Sequence, residues 1–303
     1  MDQINNHPLY RIHTIDSAMN SLWDFYRQKF LPLFIISFIM GLVIQYLSTF
    51  INVAELQSIT DVNEIMLKLK DYFWPMLILA VVSLLFTTIL HYYVIYSPLG
   101  RENNVFQCIL KSLRYFFPYL IIMVFLAIAG SFALFLGLLL LFVGILFAAI
   151  YVMTLYLFIL PILMVEGPSI ANTISRTLIL THRNFWSNIG WTAVFVIILL
   201  VISVVLSGVI LLPFTGSFFK AFADPGEATS LIDITTKPLY IILSAVLNAV
   251  TMPLLPIYAC ILYFNGRARE EKQFYPEPPK DDNDEKVRVE DLYSKPFLED
   301  DEK

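Results

Sequence analysis

The chain has 303 residues, 58% of them hydrophobic and 15% charged, with a mean hydropathy of +0.71. Soluble domains carry about 45–50% apolar and about 25% charged residues, so this composition excludes an ordinary soluble protein and indicates an integral membrane protein. The formal charge of −5 belongs to the C-terminus, because residues 1–263 hold 12 acidic and 12 basic side chains while residues 264–303 hold 13 and 8.

The first apolar run begins at Phe30, behind a polar stretch with no A-x-A-like cleavage site, so no removable signal peptide is expected. Within that stretch, TIDSAMNSLWDFYRQKF places Ile15, Ala18, Met19, Leu22, Trp23 and Tyr26 at helical spacing, with Asp16, Asn20, Asp24 and Arg27 opposite. The spacing predicts an amphipathic helix in a segment covering residues 1–29.

Four runs of spanning length follow at about 30–51, 73–97, 187–212 and 239–264. Between the second and third of these, Phe117 to Val165 holds no charged residue over 49 positions. One helix of that length would reach roughly 74 Å, more than twice the hydrocarbon thickness, so it must be two spans, about 117–138 and 143–165. The turn between them is expected near Gly137 to Gly144, with one of those glycines as the breaker. Six spans result, with residues 30–264 as the transmembrane domain and 265–303 as a disordered acidic tail.

Lys and Arg number 3, 3, 2 and 8 in the N-terminus, the 98–116 loop, the 166–187 loop and the tail, against 2 each in the 52–72 and 213–238 loops. The positive-inside rule then places both termini in the cytoplasm. Cys108 and Cys260 fall on that side and are expected as free thiols. Whether the 52–72 and 213–238 loops, the latter with Phe214, Phe218, Phe219 and Phe222, cover the bundle mouth is open at this stage.

Two further segments repeat the pattern of the first. ENNVFQCILKSLRYFFP carries Val105, Ile109, Leu110, Leu113 and Phe117 opposite Gln107, Lys111 and Arg114. PSIANTISRTLILTHRNF carries Ile170, Ile174, Leu178 and Phe185 opposite Arg176 and Arg183, with Ser169 as N-cap. An offset of 155 lays Ile15 over Ile170 and Phe30 over Phe185 without a gap. The expected architecture is therefore an all-α membrane protein of three hairpin units, each preceded by a cytoplasmic interfacial helix. The alternative is that any chain entering a membrane from its basic side shows such features.

These residues resemble a known family. LPILMVEGPSIANTISRTLILTHRNFW and the exit LYFNGRAREE look like the membrane domain in front of some bacterial glycerophosphodiester phosphodiesterases and the stand-alone six-span bacterial proteins related to it. That family tends to show a Tyr-Asp element before its Arg-rich exit, where this chain has Asn265 and Gly266. The resemblance implies a bacterial inner-membrane module; the phosphodiesterase barrel, of about 250 residues, has no counterpart in a tail of about 40.

Candidate chemistry is sparse. His91, near the end of the second span, and Glu166, at the end of the fourth, form a possible polar pair for proton transfer, although Glu166 could instead pair with Arg176. His7, His13, His91 and His182 give no metal-ligand spacing, and G-x-S-x-G, P-loop, H-E-x-x-H and C-x-x-C patterns are missing. No cofactor, metal or nucleic-acid partner is expected, and no enzymatic activity. Arg27, Lys29, Lys111, Arg114, Arg176 and Arg183 are the candidate contacts to anionic lipid headgroups. Membrane lipids are the expected partners, with VRVEDLYSKPF in the tail as a possible docking segment for a protein. The alternative function is a small-solute or lipid transporter that uses the interior of the bundle.

Overall fold

The computed structural model describes residues 4–51, 61–100, 105–215 and 237–274. These residues are helical, with no strand among them, and six helical stretches are long and apolar enough to cross a membrane. In chain order the helices are α1 (Ile15–Gln28), α2 (Phe30–Ser48), α3 (Val62–Tyr96), α4 (Val105–Leu139), α5 (Leu141–Val165), α6 (Ile170–Arg183), α7 (Phe185–Leu211), α8 (Pro238–Thr251) and α9 (Leu254–Phe274). The protein is thus a multi-pass membrane bundle. Residues 52–60 and 216–236 of the two loops, the latter with Phe218, Phe219 and Phe222, and residues 275–303 of the tail lie outside the described residues.

The 155-residue offset reappears in the helix boundaries. α1 and α6 each have 14 residues, starting at Ile15 and Ile170 after Thr14 and Ser169 at the N-cap. Each stops at a residue with non-helical backbone, Lys29 or Asn184, and the spanning helix restarts one position on at Phe30 or Phe185. The caps differ: Thr14 and Ser17 exchange a reciprocal pair of side-chain bonds to backbone N–H groups, whereas the Ser169 side chain makes none. Asn188 donates to the Leu180 and Thr181 carbonyls, satisfying the open end of α6 and fixing its angle to α7.

The middle unit departs from this plan. Residues 105–139 form one continuous 35-residue helix, so the expected interfacial helix there is the first part of a span. Its buried side is Cys108, Ser112, Phe116 and Tyr119, while Leu110, Leu113 and Phe117 of the expected apolar stripe are 54%, 40% and 70% exposed. α6 is rotated in the same sense: Thr173, Thr177, Leu180 and Thr181 face inwards, and Leu178 and Ile179 face out. In α1 the expected phase holds, with Ala18, Leu22 and Tyr26 buried. A membrane helix gains nothing by burying leucine against protein rather than lipid, so small and polar faces turn inwards and apolar ones meet acyl chains.

Other boundaries also shift from expectation. α3 begins at Val62 behind an Asp61 side-chain cap, well before the expected start at 73. α9 runs on to Phe274, past the expected tail boundary at 265, while the break of the last span into two helices at Met252 and Pro253 is in keeping with the kink that Pro253 and Pro256 predict.

The α4–α5 turn does lie between Gly137 and Gly144, but Leu141 takes the positive φ of 61°. The glycines serve contact instead: a Cβ on either one would overlap the other's carbonyl oxygen. Gly130 lies further along the same seam, against Val152. Gly41 similarly admits α8, where a Cβ would stand 3.1 Å from the Ala245 carbonyl oxygen. The densest packing is towards the end of the bundle that holds the N-terminal segment, called here the N-terminal face. There Ile257–Phe264 of α9, Leu157–Met164 of α5 and Ile89–Tyr96 of α3 are almost wholly buried.

Replacing Gly144 by Val should therefore lower the thermal unfolding midpoint in detergent, with an overpacking cost of about 1–3 kcal/mol. Gly208→Ala, at a position with nothing within 4 Å, should leave that midpoint unchanged or raised. Equal midpoints for both variants would show that the helices do not meet at this seam.

Candidate functional site: a polar collar at the N-terminal face

Where α9 leaves the apolar layer, the sequence changes from buried aliphatics to YFNGRAREEKQ, and almost every polar residue there reaches another element. Glu166, at the C-cap of α5, is followed by Gly167 with φ 111°, which turns the chain into α6. That turn brings Arg176 back onto Glu166, with Nε to Oε2 at 3.0 Å and Nη2 to Oε1 at 3.3 Å. The same guanidinium donates to Glu270 of α9 at 2.8 and 3.2 Å. Arg183 bonds Glu270 at 2.8 Å and donates to Gln273 at 2.7 Å. Tyr263 donates its hydroxyl to Glu166, and Arg267 donates to the Tyr263 oxygen and pairs with Glu271.

Two carboxylates and two guanidiniums thus neutralise each other in a partly buried cluster joining α5, α6 and α9. Hydrogen bonding to Glu270 and Glu166, the former the larger effect, holds the Arg176 proton more tightly than usual against the cost of burial. Such planar, two-pronged pairing fixes orientation as well as charge.

A second cluster ties the N-terminal segment to the same stretch of α9. Asn265 Oδ1 accepts the His13 backbone N–H at 2.9 Å and Arg269 Nε at 3.3 Å, while Arg269 Nη2 donates to the His13 carbonyl at 3.2 Å. Asn265 and Arg269 therefore hold the backbone N–H and C=O of one residue, one in each of the two peptide units that flank its Cα. The His13 ring lies within 3.2 Å of the Leu9 carbonyl. Arg11 donates to Ser21 of α1 at 2.6 Å.

His7 is buried between α1, α3 and α9, its ring 4.8 Å from that of Phe264. Leu9 N–H points at Nδ1 (3.1 Å), and Nε2 lies 3.2 Å from the Val94 carbonyl, which assigns the neutral tautomer with the proton on Nε2. Burial holds His7 down to about 4 and lowers His13 as well, against the opposing pull of their backbone bonds. Tyr10, beside Glu271 and Arg267, is raised, chiefly by burial.

The proposed proton pair is not assembled. His91 is buried inside α3 with Nδ1 2.9 Å from the Thr87 carbonyl, whereas Glu166 goes to Arg176 and Tyr263. Of the six cations read as headgroup contacts, Arg176 and Arg183 belong to the internal cluster. Arg27 and Arg114 are exposed without an ion pair among the described residues; Lys111 is exposed and Lys29 half-buried. No group of three or more His, Cys, Asp and Glu that could hold a metal occurs among the described residues. Cys108 and Cys260 are both buried and form no disulfide with one another. Compared with known proteins, the chain matches no family model, no curated protein and no solved structure.

Sequence reasoning found the Glu166–Arg176 pair because ten residues separate its members. It missed Glu270, Asn265, Arg269 and the buried roles of His7 and His13. Their partners lie about 90–250 residues away, with no spacing to reveal them.

Arg176→Gln leaves two carboxylates adjacent without a shared cation. The cost should be about 2 kcal/mol, below the roughly 3–5 expected for a fully buried pair because water reaches this one. Thermal midpoints for the single variants and for Arg176→Gln with Glu270→Gln should be non-additive; strict additivity would mean the two groups do not interact.

For His7 the folded value lies below the ordinary 6.5. Its contribution is therefore complete above pH 6.5 and is lost as pH falls towards 4, by up to about 3 kcal/mol. Between pH 7.5 and 5 the wild-type midpoint should fall more than that of His7→Asn, and parallel declines would place the sensitivity elsewhere.

Proposed function

We propose that this chain is a non-enzymatic membrane module that gathers anionic lipid headgroups at its N-terminal face, and that this face lies in the cytoplasm of a bacterial inner membrane. The observation that carries this reading is the division of the cations. Arg176 and Arg183 are neutralised within the protein, while Arg27 at the α1–α2 hinge and Arg114 on α4 carry no ion pair among the described residues; with Lys29 and Lys111 they stand at the edge of the apolar layer. Exposed Phe30, Leu31, Leu113 and Phe117 flank them, so charge and apolar anchor occur together at headgroup depth. Each such cation contributes about 1 kcal/mol at an anionic surface. The excess of Lys and Arg in the loops of this face supports the cytoplasmic assignment. Kinship with the membrane domain of glycerophosphodiester phosphodiesterases is part of the same proposal and rests on the two quoted stretches and the six-span layout.

One observation favours a second reading, transport through the bundle interior. The last span breaks at Met252 and Pro253 beside a cavity of about 330 Å³, and broken helices beside cavities are how many transporters build their sites.

Native mass spectrometry of protein released with its own lipids tests the first reading. Changing Arg27, Lys29, Lys111 and Arg114 together to Gln should reduce retained anionic lipid about tenfold or more. Arg176→Gln should reduce it little. Retention indifferent to the four exposed charges would remove the lipid-contact reading and leave transport in first place.

A further inference from the structure

The cavity at the helix break is lined by Ile44 of α2, Ser83, Phe86, Thr87 and Leu90 of α3, Tyr156 of α5, Leu199 of α7, and Thr251, Met252, Leu255 and Pro256 around the break. Ile44 and Leu199 are the same position in the two units related by the 155-residue offset, so the cavity lies where those units face each other. At about 1.5 Å per residue, the lining side chains on α2, α3, α5 and α7 sit roughly 9–21 Å in from the N-terminal-face ends of their helices, near the middle of an apolar layer about 30 Å thick. A volume of about 330 Å³ is at the small end of ligand sites and holds about ten heavy atoms.

The lining specifies a ligand by its hydrogen-bonding inventory. No lining residue is charged, and a bare ion at this depth would be costly. Ser83, Thr87 and Thr251 each donate their hydroxyl proton to a carbonyl of their own helix, at 2.7, 2.8 and 3.0 Å, leaving oxygen lone pairs as acceptors. Pro253 and Pro256 have no N–H to offer the carbonyls of Ala249 and Met252, which adds acceptor capacity at the break. Tyr156, beside Thr87 and Tyr119, supplies a rotatable phenol. The rest of the wall is aliphatic or aromatic.

We infer that this cavity binds an uncharged membrane alcohol: a hydroxyl group that donates to the acceptors at Thr87, Thr251 and the break and accepts from Tyr156, carried on an apolar chain whose first ten or so atoms pack against Ile44, Phe86, Leu199 and Leu255 while the remainder leaves the cavity for the acyl layer. A phosphate head brings charge and no donor when ionised, and a plain hydrocarbon leaves the acceptors unanswered. The inference deepens the transport reading by naming a substrate class, and binding can be tested separately from movement.

The test uses the full chain in phosphatidylcholine nanodiscs with three photoactivatable probes that carry a diazirine at the same chain position: octadecanol, octadecane and octadecyl phosphate. After illumination, peptide mapping should find octadecanol on 83–90, Tyr156 and 251–256 about fivefold above either comparator, the value of roughly one hydrogen bond. Thr87→Val with Thr251→Val, which keeps shape and removes hydroxyls, should lower that labelling by at least a similar factor. Leu199→Trp should block it by filling the space from a helix that contributes no hydroxyl, and so serves if the double variant does not fold. Equal labelling by octadecane or by octadecyl phosphate overturns the proposal, as does labelling unchanged in both variants. In vesicles, a fluorescent octadecanol reports movement between leaflets. Selective labelling without faster movement supports the site and removes transport, while loss of selectivity overturns the site whatever the movement.

Discussion

Arg176, held between Glu166 and Glu270, is the contact on which the arrangement of the N-terminal face depends. Spanning helices gain little by burying apolar side chains against one another, because the lipid is equally apolar. Which helices become neighbours is therefore decided by close fits such as Gly137 against Gly144 and by polar contacts at the ends, where desolvation is partial. Arg176 joins the end of α5, the start of the third unit and the last helix through one rigid planar group. Arg183 and Gln273 extend that joint along α6 and α9, and Asn265 with Arg269 adds the N-terminal segment. α9 is consequently the post to which both ends of the chain are tied.

The period of each helix was legible in the sequence, but its phase was not always. Apolar positions three and four apart identify a helix in water or in lipid; they identify the buried side only in water. α1 obeys the aqueous rule since it packs across the N-terminal face onto α9 and the core, with Asp16, Asn20 and Asp24 exposed. α4 and α6 turn Cys108, Ser112, Thr173 and Thr177 inwards and leave leucines outside. Both solutions come from one pattern, so the burial of α1 and the exposure of Leu110 and Leu178 could not be separated without the surrounding helices.

The repeat was legible to the residue in the first and third units, because the two segments align without a gap and both break at the same aligned position, Lys29 and Asn184. The middle unit has no such hinge: Pro118 removes one N–H donor, yet α4 continues through it. In the same way, the Glu166–Arg176 pair could be read from ten residues of sequence, whereas the grip of Asn265 and Arg269 on His13 could not. A buried peptide unit must find partners, but the sequence alone does not name which side chain, some 250 positions away, supplies them.

The collar and the cavity divide the molecule chemically. At the N-terminal face, Glu166 and Glu270 are paired with Arg176 and Arg183. Around the mid-depth cavity no lining residue is charged, and the Ser83, Thr87 and Thr251 hydroxyls donate along their own helices. The break at Met252 and Pro253 belongs to this second regime. Its upper half-helix, α8, is held to α2 through Gly41 and Ala245, and its lower half, α9, is held by the collar. The irregular backbone between them is therefore braced from both sides. Tyr26, reaching from α1 to the Val250 carbonyl at 3.0 Å, ties α1 directly to the chain beside that break.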